Sequence, residues 1–441
     1  MNLTAVVPSR KSFESIAIPA AAFLISMALF GGFCVLWGAP FWGVFASIYR
    51  AGFGSWYSWQ NSLLRAAPLM LCGLCTALPA RAGIITVGNE GAFVMGGLAA
   101  ATAGLSTQSA PAWVSLFAMA TAGAVAGGVW IAIAAGLQHY RGVNAVISSL
   151  LLNYIAIAFM LQLVEGPMRD PASLNFPATH PILESHQLGR LFNSRVHFGL
   201  VFGIVASLLA WFMLEYTVWG MKVKIVGGNA RTARLIGLPL GAVILTASFL
   251  GGSCAGLAGM VEVAAVHGRA SHAIAAGYGY VGILVAFLSR QSPLRILIVS
   301  LILGAVIASG GSLQRDLDLP DATIAVFEGI TFLLILASET LYGRFEFFRA
   351  TNNASSFPWC LVNCCGAPRS RNSRQHPLHV RQPWRMPHRK KWPNQSRHGR
   401  HSAHERDDRL RNLTADRIAM ARGPCSRHSR WSAWHTPRKL N

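Results

Sequence analysis

Charge is what this sequence has least of. Only 12% of its 441 residues are Asp, Glu, Lys or Arg, and acids are the scarcer sign, 17 against 38 Lys+Arg. Together with 53% hydrophobic residues and a mean hydropathy of +0.41, that scarcity excludes a soluble globular enzyme for most of the chain. A GxxxxGK[ST] loop is absent, so the chain is not expected to hydrolyse ATP itself. There is no HExxH pair and no standard zinc spacing. Cys72 and Cys75 have a two-residue gap but sit inside an apolar run, where they read as small buried hydrophobes rather than a redox or metal pair. No cofactor is expected on this chain.

What charge there is lies unevenly. Residues 351–441 hold 19 Lys/Arg against 4 Asp/Glu, and residues 1–350 hold the other 19 against 13. A pI near 10.6 would by itself suggest an anionic partner, but most of the excess belongs to the tail. The chain therefore divides into a short segment 1–14, an apolar body 15–350 and a basic tail 351–441.

The body reads as an all-α, polytopic bundle of about 8–10 membrane spans, each near the ~20 apolar residues that cross the hydrocarbon layer. Candidate spans are 15–38, 63–80, 83–105, 112–137, 145–164, 197–219, 242–265, 279–289, 296–310 and 322–341. The 279–289 piece is too short to cross alone and is expected to be a half-helix or re-entrant segment. With the N-terminus on the cytoplasmic side, twelve Lys/Arg of the body fall on that side and six on the other. That bias predicts both termini inside. The long connection 165–196 has four prolines and is either a structured external loop or lid, or a spacer. Gly123 with Gly127, and Gly251, Gly252, Ala255, Gly256 and Gly259, suit close helix approach, as plain packing or as a seam that slides.

Polar residues at membrane depth are costly, and they carry the functional signal. Asn89, Glu90, Asn153, Glu262 and Glu328 lie in or near spans. Glu90, within Gly88-Asn89-Glu90-Gly91, suits a broken helix that lines a solute site, or a carboxylate that bonds helix backbone and holds the bundle. Glu262 and Glu328 fall near span ends, where interfacial water is in reach. The connection 221–241 carries four positive charges and no acid. Arg231, Arg234 and Leu235 recur there at helical spacing, and Gly237 and Pro239 form a stop. It is either an ordinary positive-inside loop or a short helix that docks on a partner.

Six stretches, in order, resemble the permease subunits of bacterial ATP-binding-cassette importers of the ribose and branched-chain amino acid type, most of all the nucleoside and simple-sugar permeases. They are ITVGNEGAFVMGGLAA (85–100), GVNAVISSLLLNYIA (142–156), GPMRDPASLNFP (166–177), VKIVGGNARTARLIGL (223–238), AGLAGMVEV (255–263) and GYGYVGILVAFL (277–288). Two departures stand out: Thr86-Val87-Gly88 where that family usually has Asn-Ile-Gly, and Ala92 where a Gln often follows the Glu-Gly pair. The resemblance implies a permease in the bacterial cytoplasmic membrane that dimerises with an identical or related subunit. It implies a separate ATPase that uses the ATP, and an extracytoplasmic solute-binding protein. Asn89, Glu90, Asn153 and Glu262 would then lie along or beside the translocation path. Gly228, Asn229, Arg231 and Arg234 would belong to the segment that couples to the ATPase. The alternative is an ion-coupled secondary transporter in which Glu90 or Glu262 carries a proton.

The tail holds eight of the 14 His, five of the 13 Trp and four of the eight Cys, without hydrophobic period. Three readings compete: a disordered basic arm on anionic membrane lipid, a nucleic-acid binder with interleaved Trp, and the product of a shifted reading frame near 350–357. The composition favours the shifted frame, then the lipid arm; nucleic acid is not expected as a partner.

Overall fold

A computed structural model describes residues 10–173, 176–191, 194–320 and 322–339. All of these belong to one unit, Met1–Ser356. The expectations for the 351–441 tail, and for Arg344 and Arg349, lie outside the described residues.

The helices are α1 (Arg10–Leu36), α2 (Phe41–Phe53), α3 (Trp56–Arg81), α4 (Asn89–Ser106), α5 (Ala112–Arg141), α6 (Ala145–Glu165) and α7 (Gly199–Tyr216). They continue with α8 (Val218–Gly228), α9 (Ala230–Leu235), α10 (Leu240–Val261), α11 (Tyr278–Leu288), α12 (Pro293–Ala308), α13 (Gly310–Leu317) and α14 (Thr323–Glu339). Among the described residues there is no strand, only isolated bridges. Among the described residues, seven helical segments are long and apolar enough to cross a membrane. The protein is a polytopic helix bundle, as its composition requires.

One face of the bundle gathers Arg81, Arg141, Lys222, Lys224, Arg231 and Arg234. Contacts tie the face together: Arg81 Nε donates to Gln291 O at 3.1 Å, and Lys224 pairs with Glu215 at 2.7 Å. The opposite face is rimmed by exposed Trp37, Trp42, Trp56, Tyr57 and Trp113, the amphipathic rings favoured at a lipid–water boundary. α1 and α14 run antiparallel, with Phe30 edge-on to Phe327 and Ser26 bonded to Thr331. The start of α1 and the end of α14 therefore share a face. The outside of the bundle is apolar. On α6, Ile147, Leu151, Ile155 and Phe159 form an exposed stripe, while Ser149, Asn153, Ala156 and Met160 turn inward. This inversion is what a helix between protein and lipid needs.

The centre is built on small residues. α4, α5 and α10 meet where Gly96, Gly123, Gly127, Gly252 and Gly256 bring backbone against backbone. A Cβ on Gly256 would collide with the Gly123 carbonyl oxygen, and one on Gly259 with the Phe93 carbonyl oxygen. In lipid, where apolar burial gains little, this close approach supplies the dispersion contact that holds helices together.

The structure departs from the sequence reading at three places. The span expected at 83–105 is helical only from Asn89; residues 82–88 are not helical, and Gly83 sits at φ +85°. α2 was not expected. At 13 residues it is too short to span, and it lies at the aromatic face with Ser47 bonded to Asp316. Glu262 does not reach interfacial water: it is 2% exposed, in a π-helical turn (Glu262–His267) that extends α10. The 165–196 connection is structured, of the alternatives open to it. Thr179, Ile182 and Leu188 donate backbone bonds to Ala270, Gly268 and Ala264. The half-helix expected near 279–289 is α11, 11 residues long.

Two outcomes follow. Gly256→Ala forces α5 and α10 apart and should cost about 1–3 kcal/mol, read as a fall in melting temperature in detergent; an unchanged melt would refute the seam's role. His197, in the connection before α7, is 3% exposed. Its Nδ1 accepts from Gly199 N–H at 3.1 Å, and its Nε2 has no partner among the described residues. Burial lowers its pKa from 6.5 to about 4. The unfolded chain therefore binds the proton first as pH falls. Stability should be full above pH 6.5 and decline by about 3 kcal/mol as pH drops toward 4, and His197→Asn should remove that part of the slope in pH-dependent melts.

Candidate translocation site

The site arises where two membrane passes are interrupted. α3 runs from the aromatic face to Arg81 at the basic face. The chain then re-enters as the non-helical stretch 82–88, and α4 completes the pass. Later, after the π-helical turn at the aromatic face, residues 268–277 re-enter with no more than a single 3₁₀ turn (His272–Ile274), and α11 completes that pass in the other direction. The N-termini of α4 and α11 meet inside the bundle. Irregular backbone at that depth is tolerable only if each polar group finds a partner.

Side chains supply several of those partners, among them Ser149 Oγ, which accepts from Val87 N–H at 2.9 Å, and Thr179 Oγ1, which accepts from Ala270 N–H at 3.0 Å. Asn153 on α6 donates from Nδ2 to Val87 O at 2.8 Å and accepts at Oδ1 from Gly91 N–H at 2.8 Å. Asn89 Nδ2 donates to Thr76 Oγ1 at 2.6 Å and to Cys72 O at 3.2 Å, which fastens the α4 start to mid-α3. Glu90 accepts from Gly277 N–H at 2.9 Å through Oε1 and from Gly279 N–H at 2.7 Å through Oε2. Those are orphan donors of the first turn of α11. Glu90 itself lies in the first turn of α4. One carboxylate thus faces the positive ends of two helix dipoles. Gly279 is needed because any Cβ there would strike the Glu90 backbone. Asn89 and Asn153 are fully buried and Glu90 is 1% exposed.

Of the four residues picked as path candidates, Asn89, Glu90 and Asn153 converge here. Glu262 lies on a different element, its Oε2 3.8 Å from His267 Nε2. None of the four lines the cavity of about 490 Å3 beside the crossing. That cavity is walled by Arg65, Val87, Tyr278, Tyr280, Glu328 and Phe332, with aliphatic side chains between. Tyr280 joins crossing and cavity, its hydroxyl 3.5 Å from Asn153 Nδ2. Sequence reasoning passed over Arg65 and the two tyrosines. A lone Arg within an apolar span, and the Gly-Tyr-Gly-Tyr at 277–280, were the available signals.

At the basic face, α8 ends against the break. Gly227 packs on the Arg81 carbonyl and on Gly83, where a side chain would not fit. Gly228 and Asn229 are exposed, and Asn229 Oδ1 caps α9 by accepting from Arg231 N–H at 2.9 Å and Thr232 N–H at 3.2 Å. Arg231 and Arg234 are exposed, beside Leu235 at 85% and Ile236 at 58% exposure.

Glu90→Gln should leave one of the two α11 donors without an acceptor and place an amide N–H₂ against it. The expected loss is about 1–3 kcal/mol, read as a lower melting temperature; equal stability would show that the two bonds do not hold the crossing.

The chain is similar in sequence to known transport proteins. The chain is 32% identical over 288 residues to a glucose ABC transporter permease protein of Haloferax volcanii, covering 63% of this chain and 75% of the relative. It is 25% identical over 350 residues to a guanosine ABC transporter permease protein of Bacillus subtilis, covering 76% and 93%. A nucleoside ABC transporter permease protein of Lactococcus lactis matches at 22% over 289 residues, 63% of this chain and 90% of its own. The family model described as the permease component of branched-chain amino acid transport systems matches residues 58–337. With that match across more than half its length, the chain belongs to this family of ABC transporter permeases.

Proposed function

We propose that the protein is the membrane permease subunit of an ATP-driven importer for nucleosides or simple sugars in a bacterial cytoplasmic membrane. The basic face is cytoplasmic, in keeping with the positive-inside bias, and both ends of the bundle lie on that side. ATP is bound and hydrolysed by a separate ATPase, a second permease subunit completes the pore, and an extracytoplasmic binding protein delivers solute. Relatives named for glucose, guanosine and nucleosides support the solute class.

The observation that carries this reading is the joint at the basic face. α9 presents two cations and two apolar side chains to solvent, and α8 ties it to the first residues of the re-entrant pass through Gly227. Such a surface fits a docking partner with an acidic rim and an apolar notch. Gly228, Asn229, Arg231 and Arg234 form the coupling segment. A push on α9 is delivered at Arg81–Gly83, where the broken pass begins. Glu90 keeps the two broken helices joined beside the path as they move, Asn89 and Asn153 tie the α4 start to α3 and α6, and Glu262 lies at the far end of α10 beside the path.

The test is uptake of labelled guanosine and labelled glucose in cells that carry the permease with its ATPase and binding protein. Import should stop on ATP depletion and persist with a protonophore as long as ATP is held constant. The reverse pattern would make the protein an ion-coupled transporter. Arg231→Glu with Arg234→Glu should reduce ATPase co-purification roughly tenfold, the scale of one lost favourable ion contact turned repulsive. Unchanged co-purification would refute the docking role.

A further inference from the structure

Two cavities share one residue. The first is the 490 Å3 chamber beside the crossing. The second, about 420 Å3, is polar and opens near the aromatic face between α2, α3 and α13, lined by Arg50, Tyr57, Asn61, Arg315 and Asp316. Arg65 lines both. Its Nη1 donates to the Tyr278 hydroxyl at 3.4 Å. Its Nε is buried and has no hydrogen-bond partner among the described residues. A guanidinium with an idle donor at membrane depth is costly unless something passing through uses it.

The inner chamber has a distinctive chemistry. Three aromatic rings, Tyr278, Tyr280 and Phe332, share it with one cation, Arg65, and one carboxylate, Glu328. The rest of its wall is aliphatic side chains and glycine, from Val87, residues 276–277, α11, α12 and α14. The volume lies within the ~300–1,000 Å3 usual for small-molecule sites. A hexose carries hydroxyls on every side, and an aliphatic wall would leave several of them without partners, at about 1–3 kcal/mol each. A nucleoside fits better, because it confines its hydroxyls to the ribose and adds a planar base. The faces of the base stack on aromatic rings, and its polar atoms are confined to its edge. There a guanidinium donates to ring nitrogen and carbonyl oxygen, and a carboxylate accepts from N–H.

We propose that Arg65, Tyr278, Tyr280, Glu328 and Phe332 form a solute site for a nucleoside, with the base between the aromatic rings and its edge held by Arg65 and Glu328. This rests on the importer reading above and narrows it. Arg65 stands at the doorway between the polar vestibule and the chamber, so it meets the solute first on entry from the aromatic face. Tyr280, bonded to Asn153, places the bracing of the two broken helices in contact with the same chamber.

The experiment uses membrane vesicles that hold the complete transporter. Labelled guanosine should be taken up in an ATP-dependent, saturable manner, and glucose should not compete. Phe332→Leu should raise the KM for guanosine roughly 5- to 100-fold, the range of one lost base stack. Glu328→Gln should shift the guanosine-to-adenosine ratio, a change that a purely structural residue would not make. ATP-dependent glucose uptake without guanosine uptake would overturn the inference and leave the importer reading standing. Guanosine uptake with both variants unchanged in KM and in base preference would do the same. ATP-dependent uptake of neither solute would remove the importer reading and the site with it. Labelled 8-azidoguanosine on the unmutated transporter gives a measurement that no misfolded variant can spoil. Crosslinks within 276–284 or 325–332 support the site, and crosslinks confined to other segments overturn it.

Discussion

Everything in this bundle depends on a carboxylate held between two helix starts. Two passes lose their helical hydrogen bonds at mid-membrane, and lipid offers no water to replace them. Glu90 takes the two α11 donors, Asn153 takes one donor and one acceptor around Gly88, and Asn89 anchors the α4 start to α3. Each of these side chains is buried and bonds backbone, Asn89 also donating to Thr76 Oγ1 and leaving its Oδ1 without a partner among the described residues. The arrangement frees the chamber beside it from structural duty. The groups that face the chamber are a different set, and one of them keeps an idle donor.

The small-residue seam serves the same constraint from another side. Passes that are half helix and half non-helical chain have little lateral bulk and few ridges to interlock. Glycine on α4, α5 and α10 lets the intact helices α5 and α10 approach the interrupted pass backbone to backbone. Packing density in the centre is recovered by shrinking side chains rather than by enlarging them.

Much of this was legible in the residues. Hydropathy runs located most long helices to within a few positions, but α3 begins at Trp56 rather than near 63 and α4 at Asn89 rather than near 83. The short apolar run at 279–289 marked a half-helix because length alone forbids it to cross. The Gly-Asn-Glu-Gly at 88–91 signalled a break, and of its two meanings the geometry displays the backbone-bonding one. Hydropathy could not show that 82–88 is not helical, because Ile84, Ile85 and Val87 are as apolar as a helix interior. What distinguishes them is the service of Ser149 and Asn153, more than sixty residues away. α2 escaped because its Trp, Tyr, Gly and Arg fit neither a span nor a loop. The chamber escaped for a different reason. Its residues come from α3, the 82–88 stretch, residues 276–277, α11, α12 and α14, and no local pattern announces a grouping made only by tertiary packing.

The contact between Gly227 and the Arg81 carbonyl has a mechanical corollary. Two backbones touch there with no side chain between them, so no rotamer can yield to absorb a displacement. The joint behaves as a gear tooth without backlash. A shift of α8 by a fraction of an ångström must appear undiminished at the start of the re-entrant stretch, whereas the same shift arriving through a long lysine or methionine would be lost in its torsions.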